Sequence, residues 1–283
     1  EAFWRSLMRT LDAGTMGADE GWGFRFVMLA VTIGGILIIS TLIGVLTAGV
    51  EALVENLRKG RSRVIESGHT VILGWSEQVF AIVSELVVAN ANLRRSCIVI
   101  LGEKDKVEME DALRERVGSL GRTRVVCRTG NPIEIADLEI ASPSTAKSII
   151  LVSPEEGDAD SQVIKAMLAL TNNPKRRAEP YHIVAEIRDP KNMEVARLVG
   201  RDEVELVLTG SLVSRVIAQT CRQSGLSIVY TELLDFGGDE IYFHEEPALV
   251  GKTLGEALLM YETSTVIGMR PRGQAPLLNP PLD

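Results

Sequence analysis

The chain has 283 residues, with 30 Lys+Arg against 38 Asp+Glu, a formal net charge of −8. An acidic chain with only 5% aromatic residues is poorly equipped to grip phosphate backbones or stack on bases, which excludes a general nucleic-acid binder. The three cysteines (Cys97, Cys127, Cys221) are odd in number and far apart, which excludes a disulfide framework and a zinc ribbon and fits a reducing compartment. The three histidines (His69, His182, His244) lack metal-ligand spacing. The first residue is Glu1 rather than Met, so the sequence reads as a fragment.

In chain order, Phe3 to Leu11 reads as a short amphipathic helix, followed through Asp19 by a loop of small residues, glycines and acids. A short helix, an acidic glycine-containing loop and then a span is the pattern of a re-entrant pore loop. A loop joining two spans fits the same residues, and the potassium-filter sequence TVGYG is absent. From Phe26 to Val50 there are 25 residues without a charge. As a helix these reach roughly 37 Å, against a hydrocarbon core of ~30 Å, which predicts a transmembrane helix rather than a buried core helix. Gly34-Gly35 near its middle reads either as a gating hinge or as a close-packing position. The run Arg58-Lys59-Gly60-Arg61-Ser62-Arg63 carries four cations just beyond the span, which places the C-terminal part in the cytosol.

After this basic linker the period changes. Six short apolar strands are predicted at Thr70–Gly74, Cys97–Leu101, Arg124–Arg128, Ser148–Val152, His182–Ile187 and Val204–Leu208. Helices are expected between them at Glu77–Ala91, Asp105–Arg116, Asn131–Glu139, Asp158–Leu170 and Asn192–Val199. Near-continuous apolar strands alternating with helices mean an α/β, Rossmann-like, doubly wound parallel sheet. A helix is expected over Ser211–Cys221. Strands follow at Ser227–Tyr230, Glu240–Phe243 and Thr265–Arg270, with a helix opening at Gly251–Ala257, and together they make a small α+β C-terminal subdomain.

The first strand-to-helix turn is where this fold cradles a dinucleotide. Here it reads Gly74-Trp75-Ser76-Glu77. It keeps only the first glycine of GxGxxG, and Glu77 sets a negative charge where phosphate would sit, so NAD binding is disfavoured. Glu103 ends the second strand, the usual position of a ribose-binding acid. Gly74, Trp75, Ser76 and Glu103 are therefore ligand-site candidates. No nucleophile elbow, HExxH or Walker lysine is present, so the chain is read as no enzyme. Asp158 and Asp160, in an acidic strand-to-helix loop, read as ligand candidates or as a solvated N-cap. Glu186, Arg188 and Asp189 form another candidate cluster. No metal ligand set is legible.

Several stretches carry a family resemblance: Asp12-Ala13-Gly14 with Ala18-Asp19, the linker Leu57 to Glu66, Val71-Ile72-Leu73-Gly74-Trp75-Ser76, Glu103 to Glu110, and Arg128-Thr129-Gly130-Asn131-Pro132. The order of parts is similar to ligand-gated cation channels with regulator-of-potassium-conductance (RCK) domains. The finer resemblance is to the Castor/Pollux family of ion channels. It implies a pore helix and filter loop over 1–23, with a selectivity filter of Asp12, Ala13, Gly14 and Thr15. It implies a transmembrane helix over 24–50 and a linker over 51–67. An RCK domain over 68–210, then a helical crossover and partial C-terminal RCK subdomain over 211–283, complete the order. It further implies an integral membrane homotetramer in contact with lipid, passing potassium and/or calcium, with calcium as a candidate ligand. The membrane would be the plasma membrane of a bacterium or the nuclear or plastid envelope of a plant. A soluble, TrkA-like nucleotide-sensing subunit of a potassium transporter shares the Rossmann unit, but the long apolar span argues against it.

Overall fold

The computed structural model describes residues 4, 7, 8, 21–58, 60–238, 240–271 and 273–282. The predicted filter residues Asp12, Ala13, Gly14 and Thr15, and with them the pore loop, lie outside the described residues. The chain divides into two compact units, Glu1–Gly238 and Asp239–Asp283.

The first unit opens with α1, Trp22–Arg58, a single helix of 37 residues. Its stretch Trp22–Glu51 is long and apolar enough to cross a membrane. Within that stretch Phe26, Leu37, Ile38 and Leu46 are each more than half exposed, so α1 is not a core helix of this domain. The Thr32 and Thr41 hydroxyls turn back onto the Met28 and Leu37 carbonyls at 2.9 and 2.7 Å, which satisfies them without water. Gly34 and Gly35 lie inside unbroken helix, and open space surrounds Gly34. The helix continues well beyond Val50, so the first part of the expected linker is helical.

The sheet follows. Its strands are β1 (Thr70–Leu73), β2 (Ser96–Gly102), β3 (Thr123–Thr129), β4 (Ser148–Leu151), β5 (Ile183–Ile187) and β6 (Val204–Leu208). They pair in parallel in the order β3-β2-β1-β4-β5-β6, with Val71 aligned to Val99 on one side and Ile149 on the other. Side chains alternate across the pleat, and both faces are apolar because helices cover both. Val71, Leu73, Val99 and Leu101 join Leu138, Met167 and Leu170 on one face. Ile72, Ile98 and Ile100 join Val79, Val83, Met109 and Leu113 on the other. The covering helices are α2 (Gln78–Ala89), α3 (Lys106–Arg116), α4 (Ile135–Leu138), α5 (Ala159–Thr171) and α6 (Met193–Gly200). The expected helix over Asn131–Glu139 is much shorter than predicted. The Asn131 side chain accepts from the Ile133 N–H at 2.9 Å, a local turn that competes with helix. Beyond α4 the chain breaks into two 3-10 turns around Ser142, whose φ is +51°.

After β6 come α7 (Thr209–Arg222) and α8 (Leu226–Leu234). The predicted strand Ser227–Tyr230 is thus helix. Its Ile-Val-Tyr run has strand-like composition, but Gly225 at φ +91° ends the preceding turn, and Tyr230 donates its hydroxyl to Gln219 of α7 at 3.0 Å. In the second unit, Ile241–Phe243 has no regular structure, which corrects a second predicted strand. Helix α9 (Leu254–Leu258) opens as expected, at a capping box formed by Thr253 and Glu256. Of Thr265–Arg270, only β7 (Gly268–Met269) pairs, antiparallel with β8 (Leu277–Leu278). Pro271 and Pro276 have no N–H for a ladder and keep the hairpin short.

Candidate functional site

Strand order reverses between β1 and β4, and in open α/β sheets ligands enter the crevice at that point, beyond the C-terminal strand ends. A cleft of about 220 Å³ lies there, lined by residues including Gly74, Trp75, Glu103, Lys104, Pro132 and Gln162. Three of the predicted ligand residues, Gly74, Trp75 and Glu103, are therefore brought together. The β1–α2 turn is tight. Gly74 has φ +108°, its N–H donates to the Leu101 carbonyl at 2.9 Å, and a Cβ here would lie 2.5 Å from the Val152 carbonyl oxygen. Ser76 is buried beside it, and its hydroxyl has no hydrogen-bond partner among the described residues.

At the start of α2 the Glu77 N–H donates to Glu155 Oε1 at 2.7 Å. Glu155 comes from the loop after β4, and sequence reasoning missed it because its partner lies 78 positions away. The Glu77 carboxylate is ion-paired with Arg116, whose guanidinium sits 4.5 Å over the Phe80 ring.

The remaining predicted carboxylates hold the fold. Asp158 caps α5 by accepting from the Ser161 N–H at 3.3 Å. Asp160 accepts from the Arg188 and Asp189 N–H groups, each at 2.9 Å, and from the Asn192 amide at 2.7 Å. Burial pushes its carboxyl up, yet the Asn192 amide and the two N–H groups hold it below the ordinary aspartate value. Glu186 is buried and accepts from Gln78 (2.9 Å), Thr209 (3.0 Å) and the Ser153 N–H (3.2 Å), with Arg188 at 3.6 Å. Burial again raises its pKa, and the Gln78, Thr209 and Ser153 bonds outweigh that and lower it. Among the described residues no group of three or more His, Cys, Asp or Glu is placed to hold a metal ion. Asp158, Asp160 and Glu186 each accept hydrogen bonds from the chain itself, so a cation there would compete with those donors.

A second feature was not anticipated. Residues 60–69, which include the end of the expected linker over 51–67, form a strap docked on the sheet domain. Val64 is buried in the main core, and its N–H donates to the Ile140 carbonyl at 2.8 Å. The Ser142 hydroxyl donates to the Val64 carbonyl at 2.5 Å, and Arg128 Nε donates to the Ser62 carbonyl at 2.8 Å. Arg124 pairs with Glu66 at 2.8 Å, the Gly68 N–H donates to the Thr145 carbonyl at 2.8 Å, and His69 Nε2 donates to the Ala141 carbonyl at 2.9 Å. The strap is held chiefly by the 139–145 segment, which the short helix α4 joins to the Asn131–Ile133 turn at the cleft.

An apolar helix leading through a strap into a doubly wound parallel domain is the general plan of the molecule. Residues 210–283 match a family model described as "Castor and Pollux, part of voltage-gated ion channel". The chain is 33% identical over 273 residues to "Probable ion channel CASTOR" of Oryza sativa subsp. japonica, covering 95% of this chain and 30% of that protein. It is 31% identical over 285 residues to "Probable ion channel POLLUX" of Arabidopsis thaliana, covering 100% of this chain and 34% of that protein. A structure titled "Structure of the human SLO3 gating ring" is similar at a TM-score of 0.43 and 15% identity, over 67% of this chain and 36% of that one. The Castor/Pollux resemblance carried by the residues is thus present along nearly the whole chain, which spans about a third of the length of these curated relatives.

Proposed function

We propose that the chain is part of a ligand-gated cation channel subunit that conducts potassium and/or calcium. In this reading α1 lines the pore and the sheet domain belongs to a cytosolic gating ring of four copies. Asp12 and the carbonyls of Ala13 to Thr15 form the filter, and Gly34-Gly35 is the hinge. The chain acts as a channel and not as an enzyme.

The observation that carries the reading is the strap. Helix α1 runs to Arg58 and docking begins at Gly60, where an added Cβ would meet Lys106 side-chain carbons at 2.9 Å. One residue therefore separates the end of α1 from the start of the strap. Ligand in the cleft meets Lys104 and the turn at Pro132 and Ile133, which lead into the segments that hold the strap. A ligand with different affinity for two positions of those segments shifts α1 with them. A soluble transporter subunit would leave the apolar surface of α1 in water, so that reading is set aside.

The test uses full-length protein in planar bilayers, with mixed potassium and calcium solutions and calcium stepped on the sheet-domain side. The expected result is cation current that changes with the step. Incorporated tetramers that stay silent under every condition sink the channel reading. Three Gly-Ser residues inserted between Lys59 and Gly60 should preserve conductance and abolish ligand dependence. Unchanged ligand dependence with that insert refutes coupling through the strap. Asp12→Asn should alter conductance or ion preference, and an identical record removes Asp12 from the filter.

A further inference from the structure

The crevice has two halves, and the chain treats them differently. On the α5 side the cleft is open between Glu103, Lys104, Pro132, Ile133 and Gln162. On the α2 side, where a nucleotide phosphate takes N–H groups from a helix N-terminus, the Glu77 N–H is already bonded to Glu155 at 2.7 Å. That carboxylate reaches across from the loop after β4. The Glu77 carboxylate adds a second negative charge, and the neighbouring Arg116 is engaged with it. The turn beneath is closed too, since Gly74 packs against the Val152 carbonyl.

We propose that the cleft is a nucleoside site in which Glu155 holds the place of the phosphate. This rests on the cleft being the ligand site of the proposed channel. The Trp75, Pro132 and Ile133 surfaces take the base. Glu103, at the end of β2, accepts from the vicinal sugar hydroxyls. A phosphorylated ligand meets Glu155 and Glu77 together and must displace Glu155 from the helix before binding. Glu155 is thus a specificity-determining residue that favours the nucleoside over its phosphates.

The test is equilibrium binding of adenosine and of ADP to the full chain in detergent, by calorimetry in divalent-free buffer. The wild type is expected to bind adenosine at least tenfold more tightly than ADP. Glu155→Ala should tighten ADP at least tenfold and leave adenosine within twofold. Glu155→Gln, which keeps the length and removes the charge, should move ADP the same way by less and guards against misfolding of the alanine variant. A wild type that prefers ADP overturns the proposal, as does a ratio that neither variant changes, or the absence of saturable adenosine binding. Current recorded from the same preparation separates the two readings. Channel activity without nucleoside selectivity removes only this proposal, and nucleoside selectivity without current removes only the channel.

Discussion

Asp160 shows how much one buried carboxylate organises. Its oxygens take three donors from the β5–α6 connection, so exchanging one oxygen for an amide NH2 strands a backbone N–H and sets donor against donor. Asp160→Asn is expected to cost about 1–3 kcal/mol in urea unfolding. Its pKa is depressed in the folded state, so its stabilisation is complete above the ordinary aspartate value of about 3.9 and fades as pH falls through the lower folded value. The mutant should therefore lose its deficit relative to wild type in strong acid, and a deficit that stays constant down to that range contradicts the assignment. The cysteines differ in the same physical terms. Burial pushes the Cys127 thiol up to about 12, and Cys97 is also raised, first by burial and then by Glu66, whereas Cys221 is exposed. Maleimide at pH 7 should label Cys221 first and leave Cys127 unreacted until the protein unfolds, as read by peptide mass spectrometry.

At the scale of elements, the strap is the finding with most consequence. Val64 is its one buried apolar anchor, and Val64→Ala removes two carbons from the core. With ~0.8 kcal/mol per carbon plus a cavity term, about 2 kcal/mol is expected. Hydrogen exchange at the Val64 and Gly68 amides should accelerate while exchange in β1 stays slow. Equal acceleration in both would mean that the strap is not a separately undockable element. The helix pair α7–α8 poses a different question. Leu212, Ile217, Ile228 and Leu234 are all largely exposed, more apolar surface than two helices ordinarily leave in water. This face fits a contact between copies in the proposed ring.

For the whole molecule, two outcomes follow. With Trp22–Glu51 apolar and exposed, the chain should require detergent for extraction, and release by high salt alone argues against a span. If α7 and α8 join copies in the ring, the double variant Ile217→Asp and Ile228→Asp should lower the mass of detergent-solubilised particles below that of a tetramer in light scattering. An unchanged mass places the ring contacts elsewhere. Much of the plan was legible in the residues, because the apolar runs of β1 to β6 leave little choice but a sheet covered on both faces. The strand readings at Ser227–Tyr230 and Glu240–Phe243 failed for a local reason. Short runs rich in Ile, Val and Tyr lean toward strand by composition, but they are too short to settle it, and the neighbouring Gly225 and the Tyr230–Gln219 contact decided the first as helix. In the crevice, Gly74, Trp75 and Glu103 were readable as neighbours from their places at strand ends, whereas Asp160 stayed open between ligand and N-cap in the sequence because composition does not reveal which donors a carboxylate will meet.

By itself, the sequence determined what composition and periodicity can encode: one long uncharged helix, a basic exit, six buried parallel strands and a first turn stripped of two glycines. These are local properties, fixed by the free energy of burying apolar side chains and by the backbone conformations that glycine and proline allow. Only the tertiary structure decided that Glu155 caps the helix opened by Glu77, that Asp160 serves the β5–α6 connection, and that residues 60–69 dock against Ile140 and Ser142. Each of these joins groups far apart in the chain. No local pattern specifies such pairs, because the hydrogen bonds between them form only after the sheet has brought its strand ends together.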